Sequence, residues 1–421
     1  MMQTNMRNTK RVDTRRRTAI IAHRGASGYL PEHSLASYLL AIDIGTDYIE
    51  PDLVLSKDGT FFALHDLLLD DVTNIKDFPE YQNRTTTRTV EGYSFTGYFV
   101  SDFTAKELKR LRLKQRLPDT RSTLFDGEFE IPLLTEIFDL VRDKKSTSGK
   151  KMGIYPELKH PLYYQDLGFN MEDKLLKALT DNGYAIKGMD PSLFNYIAPV
   201  VIQCFIPETL ISLRKKCDLP LLQLQELLSN QTISDVWNTK NLDYISTYAN
   251  GVGPSLTFFT DKSLDYEAAQ KMMDQATERK LIVHPYVLRA DQEMMAASRF
   301  LGNSTRETYF FTCCLNIDGI FSDYSDRTRQ AVEATYRDPN ICADICPSKF
   351  MEKENKGKGP KSAFFSSNDR VSASSRSLLM TSSVGNEMML NWPSLLVVSS
   401  IMLLFLTPAL FLLMKLFGRK K

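Results

Sequence analysis

Between residues 18 and 335, short β-type runs alternate with helical ones. That alternation leaves few architectures open. The strand candidates are 18–22, 47–55, 152–158, 199–205, 220–224, 244–251, 281–287 and 319–321. Helical spacing of apolar residues fills the gaps, as in 34–44, 171–182, 207–216 and 265–279. About eight such units over some 300 residues predict an α/β fold, a (β/α)8 TIM barrel. A doubly wound open sheet is the competing topology. Its dinucleotide fingerprint is missing, because His23-Arg24-Gly25-Ala26-Ser27-Gly28 stands where Gly-x-Gly-x-x-Gly belongs.

One segment departs from the alternation. Ser56-Lys57-Asp58-Gly59 is a turn signal, and residues 60–64 then run back as a hairpin. This predicts that the second strand overshoots the barrel mouth and returns His65 opposite Asp52. A long polar insertion follows, over about residues 67–125. Insertions of this kind sit over the C-terminal face of a barrel, where active sites form.

That face is where the chemistry gathers. Within 44 residues the chain places His23-Arg24, Glu50-Pro51-Asp52 and His65-Asp66, each after an apolar run. Residues i and i+2 of a strand share a face, so Glu50 and Asp52 are placed to hold one cation. Carboxylates on so apolar a strand need a partner. Glu157, ending the run 153–158, is the third ligand candidate. Three carboxylates without cysteine or a histidine pair favour Ca²⁺ or Mg²⁺ over zinc. Pro51 and Pro156 sit against this, since a proline removes a ladder donor; bulges at the rim would reconcile them. His23 and His65 are the acid–base candidates, and Arg24 and Lys159 the candidates for phosphate oxygens. His33, His160 and His284 read as structural or rim residues. Cys313 and Cys314 read as core, because no basic neighbour activates them.

Lys+Arg is 52 and Asp+Glu is 51, a net charge of +1, so nothing points to nucleic acid as a partner. Residues 1–17 read as a disordered basic arm, 18–335 as the catalytic barrel, and 352–391 as a flexible Ser/Lys-rich stalk. Residues 392–414 carry no charge over 23 positions and are followed by the basic tail 415–421. They predict a C-terminal transmembrane helix and single-pass membrane localisation. The positive-inside tendency puts the barrel in an extracellular or lumenal space, and sequons at Asn83, Asn230 and Asn303 are compatible with that. The absence of a signal peptide in residues 1–17 leaves a cytosolic tail-anchored form as the alternative. Six cysteines allow pairs such as Cys342 with Cys346.

The motifs resemble a known family. Residues 22–34, running Ala22-His23-Arg24-Gly25 to Pro31-Glu32-His33-Ser34, resemble the opening of glycerophosphodiester phosphodiesterases, in particular the bacterial periplasmic type. Tyr48-Ile49-Glu50-Pro51-Asp52-Leu53-Val54, Ser56–Gly59 and Leu64-His65-Asp66 match the next stretch. So do Ile154–Lys159, Gln203-Cys204-Phe205, Ala249–Pro254, Val283–Tyr286 and Asp318–Asp323. The resemblance covers about residues 18–333. It implies a TIM barrel with a small inserted subdomain and one divalent cation, usually Ca²⁺. It also implies hydrolysis of a small glycerophosphodiester to sn-glycerol 3-phosphate and an alcohol. By motif, Glu50, Asp52 and Glu157 would be the metal ligands and His23 and His65 the acid–base pair. Arg24 and Lys159 would hold phosphate, with Gln203, Phe205 and Tyr286 lining the pocket. Two other readings stand beside it. One is lysophospholipase D-type cleavage of membrane lysophospholipids, with Phe61, Phe62, Phe95, Tyr98 and Phe99 against acyl chains. The other is an inactive barrel used as a membrane-tethered binding module.

Overall fold

The computed structural model describes residues 17–188, 199–260, 266–291, 300, 302–338 and 340–346. The strands are β1 (Ala19–His23), β2 (Tyr48–Glu50), β3 (Asp52–Leu55), β4 (Phe61–Ala63), β5 (Thr86–Val90), β6 (Tyr93–Gly97), β7 (Gly153–Ile154), β8 (Glu157–Leu158), β9 (Ile202–Cys204), β10 (Leu221–Gln225), β11 (Gly251–Pro254), β12 (Ile282–Val283) and β13 (Gly319–Ser322). One ladder runs β13-β1-β2-β7 and another β12-β11-β10-β9-β8-β3-β4. Parallel pairing joins all of them except the β3–β4 hairpin. Leu288 bridges Ser322, and Phe321 N donates to Pro285 O, so β12 meets β13 and the barrel closes. Among the described residues this makes eight strand positions, with β2/β3 and β7/β8 each one strand interrupted by a proline.

The interruptions answer the tension at Pro51 and Pro156. The ladder loses a donor at each proline, yet Pro51 O still accepts from Glu157 N (2.9 Å) and Pro156 O from Gln203 N (3.0 Å). The strands therefore stay in register across the break, and no bulge is needed.

Strand parity sorts the core. Ala19, Ile21, Tyr48, Tyr155, Val201, Leu222, Leu224, Ile282 and Phe321 form one buried cluster inside the barrel. Ile20, Ile49, Val200, Ile202, Leu221 and Val252 belong to the larger cluster that the surrounding helices cover. Both faces are buried, as a parallel sheet requires. The helix Leu35–Asp43 begins where Ser34 accepts from Ser37 N. Just before it the chain turns at Arg24 (φ 58°) and Gly25 (φ 86°). A Cβ on Gly25 would lie 2.7 Å from the Ser37 backbone, so this turn needs glycine.

Residues 244–251 are not a strand. The helix Thr239–Ser246 takes the start of that run, with Leu242 and Ile245 buried one turn apart, and β11 begins at Gly251. The insertion between β4 and the helix Leu134–Val141 carries the antiparallel β5–β6 hairpin and buries Tyr81, Phe99, Phe103, Leu108 and Leu111.

No helix among the described residues is long and apolar enough to cross a membrane. The helices Tyr266–Glu278 and Ser325–Arg337 have 13 residues each, about 20 Å, against a hydrocarbon core of about 30 Å. This overturns the single-pass membrane localisation expected from the sequence; the segment 392–414 on which it rested lies outside the described residues, as do the stalk, the tail and residues 1–16.

The cysteine pairing, which the sequence left open, is now assigned. Cys313 joins Cys342 and Cys314 joins Cys346, rather than Cys342 pairing with Cys346. Cys342 and Cys346 are four residues apart at the helix Asn340–Ile345, so both face the neighbouring segment instead of each other. Replacing Cys313 by serine, which opens one of the two bridges, should lower the unfolding free energy by about 2–5 kcal/mol. Urea denaturation of the variant beside the parent checks this.

Candidate active site

The inward parity that fills the barrel continues upward into polar residues at its C-terminal end. On β1 the inward series Ala19, Ile21 leads to His23; after Tyr48 come Glu50 and Asp52, and after Tyr155 comes Glu157. Register makes them neighbours around the rim: His23 lies beside Glu50, Asp52 beside Glu157, and Glu157 beside Gln203. The hairpin register pairs Leu53 with Ala63, so Leu64 sits opposite Asp52 and His65 lies one residue further on than the sequence suggested.

Ligand atoms of Glu50, Asp52 and Glu157 all lie within 4.8 Å of one another, and all three residues are buried. Each has a fixed partner. Glu50 Oε2 accepts from Arg24 N (2.9 Å) and Oε1 from Gln203 Nε2 (2.9 Å). Asp52 Oδ2 lies 3.0 Å from His33 Nε2 and 3.1 Å from Arg24 Nε. Glu157 Oε1 lies 2.8 Å from Lys159 Nζ.

Burial and then repulsion from Asp52 raise the carboxyl of Glu50 well above its usual range, while burial also takes Glu157 up to about 8 against the pull of Lys159. Asp52 goes the other way. Despite the cost of burial, Lys159, Arg24 and His65 hold it well below its usual range. Three buried carboxylates, two of them resisting ionisation, form an all-oxygen donor set suited to a hard divalent cation. The buried Gln203 Oε1, which lacks a hydrogen-bond partner, adds a neutral donor. The residues fit the group that the sequence implied.

Both histidines carry an aspartate. His23 Nδ1 lies 2.6 Å from Asp323 Oδ1, and His65 Nδ1 lies 2.5 Å from Asp66 Oδ1. Asp323 and Asp66 are held below their usual range, despite burial, chiefly by their histidines and nearby arginines. As ionised carboxylates they can only accept, so each Nδ1 carries the proton and each Nε2 is the free ring nitrogen. Burial, then the charge on Arg24, lowers His23 to about 4; burial, then Arg24 and Lys159, lowers His65 to about 3. Both rings are therefore neutral near pH 7 before substrate arrives.

These groups open into a cavity of about 1070 Å³, whose lining includes His23, Arg24, His65, Lys159, Gln203 and Tyr286. Phe205 and Tyr286 meet edge-on at 6.1 Å, and Lys159 Nζ sits 5.7 Å from the Phe205 ring. All ten residues singled out from the sequence thus converge on one end of the barrel. His33, read from the sequence as a structural or rim residue, is fully buried behind Asp52 with Nδ1 2.7 Å from Tyr38 Oη. Neither it nor Glu32, which accepts from Arg24 and Arg116, was given a part in the site. A strand-end search misses both because they lie in the loop before the first helix. The aromatic set suggested for acyl chains is not available to lipid: Phe61, Phe62, Tyr98 and Phe99 are buried and Phe95 packs against the core. His160 lies 3.1 Å from Glu91, and His284 lies 3.0 Å from Tyr155 Oη within the barrel.

Comparison with known proteins finds related chains. The profile of the glycerophosphoryl diester phosphodiesterase family matches residues 23–327. Glycerophosphodiester phosphodiesterase GDPD6 of Arabidopsis thaliana is 33% identical over 317 residues, covering 72% of this chain and 83% of the relative. A glycerophosphodiester phosphodiesterase of Haemophilus influenzae is 29% identical over 357 residues, covering 76% and 91%. Among solved structures, a glycerophosphoryl diester phosphodiesterase candidate from Silicibacter pomeroyi superposes with a TM-score of 0.53 at 21% identity, over 76% of this chain and 94% of its own. At that identity it supports the fold alone. The enzyme class expected from the sequence is the one its relatives carry, and the chain belongs to the glycerophosphoryl diester phosphodiesterase family.

Proposed function

We propose that the site hydrolyses glycerophosphodiesters to sn-glycerol 3-phosphate and an alcohol, with Glu50, Asp52 and Glu157 holding one divalent cation, Ca²⁺ ahead of Mg²⁺. The observation that carries this reading is the convergence of a buried carboxylate trio, two aspartate-backed histidines and two cationic side chains on one cavity. When bound, the cation would offset negative charge building on the non-bridging phosphate oxygens. Arg24 and Lys159 bring further positive charge to the same end of the cavity. One histidine Nε2 takes the proton of the attacking hydroxyl as the new P–O bond forms. The other delivers a proton to the departing alkoxide as the old P–O bond breaks. Water as the attacking group gives glycerol 3-phosphate directly, whereas the glycerol 2-hydroxyl gives a cyclic phosphate that water opens in a second displacement by the same pair. Since both rings are neutral in the free protein, the donor must gain its proton before or with substrate binding, and the negative phosphodiester favours that gain. Phe205 and Tyr286 flank the remaining part of the substrate.

The purified full chain should release glycerol phosphate from glycerophosphocholine in Ca²⁺ and lose that activity in a chelator. Lysophosphatidylcholine should be turned over at least about tenfold more slowly, because the aromatic side chains that would meet an acyl chain are buried. Faster cleavage of the lysophospholipid would move the assignment to the lysophospholipase D reading. Binding of Ca²⁺ with no release of glycerol phosphate would move it to the inactive binding barrel.

A further inference from the structure

Two arginines from the insertion stand behind the two histidines in the same way. Arg121 NH2 donates to Asp323 Oδ2 at 2.6 Å, the oxygen that His23 does not use. Arg116 NH1 donates to Asp66 Oδ2 at 2.6 Å, the oxygen that His65 does not use. The two arginines are five residues apart, and one turn spaces them, with Arg121 N donating to Leu117 O at 2.8 Å. Each also ties the insertion to the loop after β1. Arg121 NH1 donates to Ser27 O, and Arg116 grips both oxygens of Glu32, the partner of Arg24. Arg121 is further fixed by a two-pronged bond to Asp291, itself held by Tyr324.

We propose that Arg116 and Arg121 are positioning residues, one for each histidine, through which the docked insertion sets the tautomer and orientation of the acid–base pair. This rests on the reading of His23 and His65 as that pair. The geometry favours it over a purely structural role. A carboxylate with one donor can rotate and offer either oxygen. Both oxygens only accept, so the arginine acts through position: with a guanidinium fixed on Oδ2 the carboxylate cannot turn away from the ring, Oδ1 stays at the imidazole, and Nδ1 keeps the acceptor that holds its proton while Nε2 stays free. A buried ion pair gives little net stability, whereas the placement of two such pairs behind the two rings bears directly on their geometry. A guanidinium is needed because Arg116 serves Glu32 and Asp66 at once and Arg121 serves Asp291, Asp323 and Ser27, which a lysine's single nitrogen cannot reach.

The test uses the full chain with Ca²⁺, the variants Arg116→Gln and Arg121→Gln, and ¹⁵N NMR of the histidine rings beside glycerophosphocholine kinetics. Arg121→Gln should change the ring-nitrogen signals of His23 towards mixed tautomers, leave those of His65 unchanged, and cut kcat about 10–100-fold with KM within about threefold. Arg116→Gln should do the converse, and should also raise KM because Glu32 then holds Arg24 less firmly. Millimolar guanidinium should restore part of the lost turnover in each. Where a glutamine variant does not fold, the lysine variant at that position carries the same NMR comparison. Unchanged ring signals in a folded variant overturn the proposal, as does loss of both histidines' signals from either single change. If the parent chain releases no glycerol phosphate, the reading of the reaction fails, while the ring signals still decide whether the arginines set the tautomers.

Discussion

Replacing His23 or His65 by alanine should lower kcat for glycerophosphocholine by about 10²–10⁴-fold while the protein stays folded and still binds its cation. The size follows from the role. Each ring presents one free Nε2 to the cavity. Of the other histidines, His33 is bound at both nitrogens, His284 lies buried within the barrel, and His160, at the cavity wall, is paired with Glu91 rather than with an aspartate at the carboxylate trio. Folding should survive because neither aspartate is orphaned. Without His23, Asp323 keeps Arg121; without His65, Asp66 keeps Arg116. Their side chains are also 12% and 32% exposed, so the cavities opened are small and the stability cost should stay near about 1 kcal/mol. The double variant should be little worse than the more damaged single one, since the two act in one proton-transfer sequence. Steady-state kinetics with circular dichroism checks both halves. Near-full activity of His65→Ala would remove His65 from the mechanism.

The part of this site that could be read from the sequence is the part governed by strand parity. Apolar runs ending in His23, Glu50, Asp52 and Glu157 announce inward-pointing residues at a barrel rim, because a period of two leaves no other face for them. The hairpin at Asp58-Gly59 was legible for the same reason, although its register places Leu64, not His65, opposite Asp52. What was not legible depends on long-range packing. Arg116 and Arg121 lie in a polar stretch with no periodic pattern, where an arginine bound for the site looks like any solvated one. Asp323 was visible only as part of a motif, since its partner His23 is 300 residues away. β11 was misplaced because Gly251, Val252, Gly253 and Pro254 have little strand propensity. They pair with β10 on one side and β12 on the other, and the close packing there leaves no room for a side chain at Gly251, where a Cβ would fall 2.4 Å from Ile282. The disulfides likewise depend on how Asn340–Ile345 docks, which spacing alone does not reveal.

Removing the divalent cation should abolish turnover, and its rebinding should release protons below about pH 8. In the cation-free site, burial drives Glu157 up to about 8 and, with Asp52, drives Glu50 well above its usual range, while Asp52 remains ionised. A cation entering at neutral pH must therefore displace at least one proton, so its apparent affinity should weaken by about tenfold per pH unit from 8 down to 6. Calorimetric titration in two buffers of different ionisation enthalpy measures that release directly. Stability follows the opposite course. A carboxyl whose folded value lies near 8, against an unfolded value of about 4.3, binds its proton more tightly in the folded state. Its contribution is complete below about pH 4.3 and is lost as pH rises through 8, so the cation-free protein should become less stable between about pH 4.3 and pH 8. Added Ca²⁺ should reverse that loss, because the ion then supplies the charge that the proton had supplied. Glu157→Gln separates the two effects. It removes the titrating group, so the cation-free protein should lose much of its decline between about pH 4.3 and pH 8, while cation affinity falls through loss of a charged ligand. If proton release and the decline in stability up to pH 8 both persist unchanged in that variant, Glu157 is not the group that exchanges its proton for the metal.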